Sequence, residues 1–485
     1  MRPDSSRPQP MARPLLLLSL LGVALAADPP PPTPDSGQTA KDQHALIGAT
    51  AVTKEANPHT KHPDAQWFGE AGLGLFIHWG ISSVHGNLDL SWSMIAEKAW
   101  DNPNPGPGQQ VITPEEYFAL ATRFKPDRYD PDRWLRAAKE AGFRYAVFTT
   151  KHHDGFALWP SDVGEFGVKQ YLPGVDLVKT YVEACRKNGL KVGLYYSPPD
   201  WYFNRNYMSF HYGSEDQKRF PGRRPFGMKH EVLEALPAKP VDFHASYLAY
   251  IRAQIEELLT RYGTIDVLWF DGGPNAMPAE AIRALQPGIV INPRMHGTGD
   301  FMTPEGHLPN GPIAGWWEMC HIWAPNTWGY NTAHEQYKPS GWMLSQLATV
   351  RSWGGNLLIN AGPRPSGEMP DTYYERMREV AGWMRHSGTA VFDVKPGPYP
   401  TAVDVPVTIR GHTWYLLLPP EHQGPVTIRR ADRPTSVKLL RNGAALVPVM
   451  RDDVCSIEVP TAERTALVDV VEVEYGVPDQ AAPGR

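Results

Sequence analysis

Cysteine is scarce in this chain. Cys185, Cys320 and Cys455 are the only three in 485 residues, widely spaced and odd in number. That excludes a disulfide framework and a cysteine-based zinc cluster, so stability has to come from an apolar core and at least one thiol is free. An excess of basic residues is missing too. Lys and Arg number 47 against 52 Asp and Glu, a formal net charge of -5. This argues against a general nucleic-acid binder, which needs a basic surface to displace counterions from phosphates. Nucleotide signatures are absent: no GxGxxG leads from a strand into a helix and no GxxxxGK[ST] occurs. HExxH and GxSxG are absent as well, which leaves a zinc peptidase and a serine-elbow hydrolase without their motifs.

What is present begins at the N-terminus. Arg2, Arg7 and Arg13 precede the apolar run Pro14–Ala26, which ends in small residues at Ala24 and Ala26. A basic start, an apolar core of about 13 residues and an A-x-A site fit a secretory signal over residues 1–26, whereas a membrane span needs about 20 apolar residues. The expectation is a secreted or periplasmic protein that is not held in a membrane after cleavage. Residues 27–45, rich in Pro, Asp, Ser and Thr, read as a flexible leader.

From residue 46 to 390 short apolar runs alternate with amphipathic stretches. Strands are expected at Gly72–Trp79, Tyr145–Thr150, Lys191–Ser197, Ile265–Phe270, Ile289–Asn292 and Asn356–Asn360. Helical patterns at Pro114–Phe124, Pro131–Ala141, Val175–Asn188, Phe243–Tyr262, Ala279–Leu285 and Gly341–Trp353 fall between and after them. That alternation predicts an α/β fold, a parallel barrel of the (β/α)8 type or a degenerate version of it. Tyr202–Pro240, basic and aromatic, interrupts the rhythm after a strand end and reads as a long loop over the face where a barrel keeps its active site. Beyond Pro396–Tyr399, a linker, short runs such as VPVTIRG and TWYLLLP predict a small β-sandwich over 396–476, with a tail at 477–485. Homo-oligomerisation is left open.

The segment Ile265–Gly273, IDVLWFDGG, organises the rest. An apolar run delivers Asp271 to its carboxyl end and two glycines stop it, as in a buried parallel strand. Taken alone, Asp271 reads more readily as a helix cap than as a catalytic group. Other strand ends carry FIHWG, with His78 and Trp79; KHHDG, with His152 and His153; and GLYYS, with Tyr195 and Tyr196. Strand ends in a parallel barrel share one face, so these groups converge on one pocket. His78, His152, His153 and Asp271 are also metal-ligand types, but adjacent histidines on a strand point to opposite faces, and no metal or other cofactor is expected. Two carboxylates suit glycoside hydrolysis, in which one attacks the anomeric carbon and a second protonates the leaving group. Asp271 fits the first role. Asp300, Glu305 and Glu318 follow at loop-like positions, Glu318 among tryptophans whose desolvation raises a carboxyl pKa.

FIHWG, KHHDGFALW, GLYYSPPDW, LWFDGG, INPR, GDFMTPE, WWEMC, WGY and SWGGNLLINAGPRPSGEMP, in this order, resemble the motif series of the α-L-fucosidases of glycoside hydrolase family 29, from about Trp67 to Met384. The resemblance implies a retaining exo-glycosidase acting on terminal α-L-fucose of glycans or glycoconjugates, with no cofactor. It implies Asp271 as nucleophile and His78, His152 and His153 as contacts to sugar hydroxyls. Tyr195 or Tyr196 and Trp269 would line the pocket, with Trp79 and Arg294 beside them. The acid/base is Glu305 by motif position or Glu318 by its Trp-Glu context, with Glu305 preferred. Where many family members have Glu-Trp, this chain reads Ser91-Trp92. That leaves open a related sugar such as α-L-galactose. A catalytically silent carbohydrate-binding protein is the alternative outside enzymes.

Overall fold

Eight runs of apolar residues form one parallel sheet in the computed structural model, which describes residues 36–50, 58–98 and 110–476. The strands are β1 (Leu73–Ile77), β2 (Tyr145–Lys151), β3 (Lys191–Tyr196), β4 (Val267–Phe270), β5 (Val290–Ile291), β6 (Phe301–Met302), β7 (Trp316–Ile322) and β8 (Asn356–Ala361). Their order is β5-β4-β3-β2-β1-β8-β7-β6, a nearly closed barrel. Register is direct around its centre: Leu75 pairs with Ala146 on one side and Ile359 on the other. Every residue of β1 and β2 is buried, because both faces of the sheet are covered.

The seam between β5 and β6 is stitched by Asp300. Its N–H donates to the Ile291 carbonyl at 2.8 Å, its carboxylate accepts the Ile291 N–H at 2.8 Å, and Arg283 donates to both its oxygens. Asp300, one of the downstream acids noted in the sequence, is therefore a structural closure of the barrel.

Side chains alternate between two environments along each strand, as the period of two requires. Phe76, Tyr145, Val147, Tyr195, Trp269, Cys320 and Leu358 fill the inside. Leu75, Ile77, Phe148, Tyr196, Leu268 and Phe270 belong to the cluster packed under the helices. The helices are α1 (Ser36–Leu46), α2 (Pro114–Ala119), α3 (Pro131–Glu140), α4 (Val168–Tyr171), α5 (Leu177–Lys187), α6 (Trp201–Asn204), α7 (Phe243–Arg261), α8 (Ala279–Leu285), α9 (Ser340–Ser352) and α10 (Asp371–Ser387). α3 and α5 start where Asp130 and Asp176 accept the N–H of Arg133 and Lys179, N-caps that satisfy otherwise orphaned donors. On α3 the buried Trp134, Leu135 and Ala138 make the single apolar stripe that such a helix needs.

The remaining strands are β9 (Lys395–Pro396), β10 (Val407–Arg410), β11 (Thr413–Leu418), β12 (Val426–Arg429), β13 (Ser436–Leu439), β14 (Pro448–Arg451), β15 (Val454–Ile457) and β16 (Asp469–Glu474). They form two antiparallel sheets, β13-β16-β11-β10-β9 and β12-β15-β14, around a core that includes Val407, Leu416, Ile428, Cys455 and Val471. Tyr415, Leu417 and Val470 join the barrel's outer cluster instead, so one face of the larger sheet packs toward the barrel.

Three sequence expectations need correction. Residues from Ser36 are helical, so the flexible leader expected to run to residue 45 gives way to α1. Glu318 is not in a loop but in the middle of β7, and it is fully buried. Pro396, read as linker, already pairs in β9. The expected signal at 1–26 and the tail at 477–485 lie outside the described residues. Among the described residues no helix is long and apolar enough to cross a membrane.

Candidate active site

The carboxyl ends of the strands surround a pocket that opens to solvent. His78, Trp92, His152, Tyr195, Trp269, Asp271, Arg294 and Glu305 line it. β4 places Asp271 one residue beyond its end, where the Asp271 N–H still donates to the Tyr196 carbonyl at 3.2 Å. Arg294 follows β5. It is buried and forks between two acids: Nη1 donates to Asp271 Oδ1 at 2.8 Å and Nη2 to Glu305 Oε2 at 2.5 Å. Tyr195 donates from its hydroxyl to Asp271 Oδ2 at 2.9 Å. The Arg294 guanidinium lies 4.4 Å from the centre of the Trp269 ring, and Tyr195 stacks on the same indole at 5.6 Å.

The histidines are neutral. Burial draws His78 down to about 4 and His153 to about 3, and draws His152 well below its usual range. Hydrogen bonds select their tautomers. Asn360 uses its amide N–H on the Trp328 carbonyl, which leaves Asn360 Oδ1 to accept from His78 Nδ1 at 2.7 Å. Ser197 gives its hydroxyl hydrogen to the Pro199 carbonyl and so accepts from His153 Nδ1 at 2.6 Å. In both rings Nε2 then carries a lone pair, suited to accept from a sugar hydroxyl. His153, expected to contact the sugar, does not line the pocket: it is fully buried, its Nε2 has no hydrogen-bond partner among the described residues, and that nitrogen lies 3.6 Å from Asp271 Oδ2. Ser91 is fully buried with its Oγ 2.6 Å from His152 Nδ1, so it orients that ring.

The strand argument that separated His152 from His153 fails because β2 ends at Lys151, after a register shift, and both histidines sit in the turn beyond it. One ligand atom each from His152, His153 and Asp271 lie within 4.8 Å of one another, so among the described residues these three could hold a metal ion. The Arg294 cation on the same carboxylate already supplies positive charge there.

Glu305 and Glu318 separate cleanly. Glu305 lines the pocket. Burial alone would raise its pKa, but the Arg294 guanidinium beside it, helped by His44, holds it well below the usual carboxylate range. Glu318 lies deeper in the barrel. It accepts from Tyr145 Oη at 2.5 Å and from Trp269 Nε1 at 3.0 Å, and burial raises it to about 7 against those two bonds. By pKa alone Glu318 is the better acid, yet the pocket reaches only Glu305, and reach comes first.

Two expected binding residues face away. Trp79 stacks on Tyr129 and donates to the Arg364 carbonyl, outside the barrel wall. Tyr196 alternates with Tyr195 and points to the helix side, bonded to Lys151 and Gln254. The basic loop at 202–240 contributes nothing to the pocket lining; instead its Arg219 pairs with Asp42 through two bonds of 2.7 Å. Gln43, His44, Ile47, Phe76, Asp89, Leu90, Cys320 and Trp328 line the pocket without having been singled out. Trp328, in WGY, and Cys320, in WWEMC, stood inside motifs noted in the sequence. Gln43, His44 and Ile47 carried no signal, since a polar stretch after a Pro-rich leader looks like linker.

The profile of the α-L-fucosidase family matches residues 40–389. Tissue α-L-fucosidase of Bos taurus is 28% identical over 413 residues, covering 79% of each chain. Among solved structures, α-L-fucosidase isoenzyme 1 of Paenibacillus thiaminolyticus superposes with a TM-score of 0.69 at 30% identity, over 85% of this chain and 98% of that one. The Thermotoga maritima α-fucosidase, solved with a mechanism-based inhibitor, gives 0.65 at 25% identity over 87% and 100%. A nearly closed parallel barrel with a carboxylate-lined pocket, an appended β-sandwich and these matches lead to one conclusion: the chain belongs to the α-L-fucosidase family of glycoside hydrolases.

Proposed function

We propose that this protein is an exported exo-acting α-L-fucosidase that releases terminal fucose from glycans or glycoconjugates with retention of configuration. The observation that carries the reading is the Arg294 fork, which holds a strand-end carboxylate, Asp271, and a second pocket carboxylate, Glu305, on adjacent nitrogens of one guanidinium. Bridging of that kind suits the about 5–5.5 Å separation of a double displacement better than the wider gap that admits a water molecule.

Asp271 attacks the anomeric carbon as the bond to the leaving oxygen breaks, and Glu305 gives that oxygen a proton. Glu305 then takes a proton from water, the water oxygen attacks the same carbon, and Asp271 leaves. Tyr195 and Arg294 keep Asp271 ionised and aimed. The ion pair with Arg294 keeps Glu305 in its base form, so entry of the leaving oxygen has to loosen that pair and let a proton on. Neutral His78, which lines the pocket, accepts a sugar hydroxyl, and Trp269 and Phe76 offer apolar surface to the ring. Export is supported by the basic and apolar start of the chain.

A chromogenic aryl α-L-fucoside tests the reading, beside the matching α-L-galactoside. Hydrolysis of the fucoside, loss of turnover in Asp271→Ala, and an α-configured first product by NMR are expected. Full activity in Asp271→Ala, or a β first product, contradicts it.

A further inference from the structure

The pocket wall next to Glu305 is built by a segment that precedes the barrel. Gln43, His44 and Ile47, at the end of α1, line the pocket, and His44 Nε2 lies 3.9 Å from Glu305 Oε2. This segment is seated by several independent contacts. Asp42, buried, takes both nitrogens of Arg219 from the long loop before α7. The Ile47 carbonyl accepts the Gly273 N–H at 3.1 Å, and Thr50 donates from N–H and Oγ1 to the carbonyls of Arg294 and Met295. The seating also accounts for the two glycines after Asp271. A Cβ on Gly272 would lie 2.5 Å from the Ile47 carbonyl oxygen, and one on Gly273 2.5 Å from that of Gly48.

A general acid has to stand beside the oxygen that leaves, so whatever flanks the acid flanks the leaving group. We propose that α1 forms the leaving-group wall of the active site, with His44 as a positioning residue on Glu305 and Gln43 beside it, and that this wall selects a hydroxyl-bearing sugar as the leaving group. The inference rests on Glu305 being the acid/base. An imidazole and an amide offer hydrogen bonds to sugar hydroxyls, and an aryl leaving group uses neither. The Asp42–Arg219 pair latches the wall to the β3–β4 loop, so removing the latch acts on the same function from a distance.

The test compares kcat/KM of the full-length mature protein on an aryl α-L-fucoside and on a fucosylated disaccharide, for wild type, His44→Ala and Arg219→Ala. The expected result is a fall at least about tenfold greater for the disaccharide than for the aryl fucoside in His44→Ala, with a smaller fall of the same selectivity in Arg219→Ala. Equal falls on both substrates, a larger fall on the aryl fucoside, or no fall overturn the proposal. Thermal melts of each variant separate loss of fold from loss of selectivity. If Glu305→Gln leaves disaccharide hydrolysis intact, the acid/base assignment fails instead, and that outcome is distinct from a failure of His44 alone.

Discussion

At the scale of single residues, two glutamates stand in opposite environments. Glu305 is reachable but held ionised by Arg294, whereas Glu318 is pushed up to about 7 by burial but sits behind Trp269. Leaving-group dependence tells them apart. Glu305→Gln should lower kcat/KM on a fucosylated disaccharide by about 10²–10⁴-fold and far less on an aryl fucoside whose leaving group needs no proton. Glu318→Gln should act through the Trp269 indole and lower both substrates alike, by about tenfold or less. Steady-state kinetics on the two substrates checks both. A selective loss on the disaccharide in Glu318→Gln would reassign the acid. Ser91 buries a hydroxyl that orients His152.

At the scale of elements, the turn after β4 couples Asp271, the proposed nucleophile, to α1. Gly272 has φ +96 and no room for a Cβ against the Ile47 carbonyl. Gly272→Ala should therefore cost about 1–3 kcal/mol of stability and displace the pocket wall as well, read as a lower Tm together with a lower kcat/KM. Wild-type values for both would show that Ile47 does not pack there. The strands with continuous apolar runs, β1 to β4 and β8, were legible in the sequence because burial on both faces leaves a plain pattern. β7 was not, because Glu318 breaks its run and the partners that satisfy it, Tyr145 and Trp269, come from distant strands. β6 is two residues long, too short for any periodicity. Of the site, the groups at strand ends could be read as converging, but not which side they face: one residue of register separates Tyr195 in the pocket from Tyr196 behind it. α1 was illegible because its place is set by contacts to Gly273, Arg294 and Arg219, not by its own sequence.

At the scale of the whole molecule, the buried site makes stability depend on pH in two opposing ways. Folding draws His78 to about 4 and His153 to about 3, so their share of stability is complete above the unfolded value near 6.5 and is lost as pH falls toward those folded values. Glu318 is raised from 4.5 to about 7, so its share is complete below 4.5 and is lost as pH rises through 7. The two oppose each other between 4.5 and 6.5; below 4.5 the histidines and Glu305, which Arg294 holds below the usual carboxylate range, all lose their share as pH falls. Denaturant titrations should show stability dropping steeply between pH 4.5 and 3, and Glu318→Gln gaining on wild type as pH rises from 4.5 to 7. A constant difference between the two proteins across that interval would contradict the buried-acid assignment. The proposed chemistry rests on one covalent bond, between Asp271 and the sugar. The most direct measurement treats the protein with a 2-fluoro-fucosyl fluoride, whose fluorine slows release of the glycosyl-enzyme, and maps the labelled peptide by mass spectrometry. The expected result is one fluorofucosyl group per chain, attached at Asp271; a label on another residue, or turnover with no label, would contradict the account.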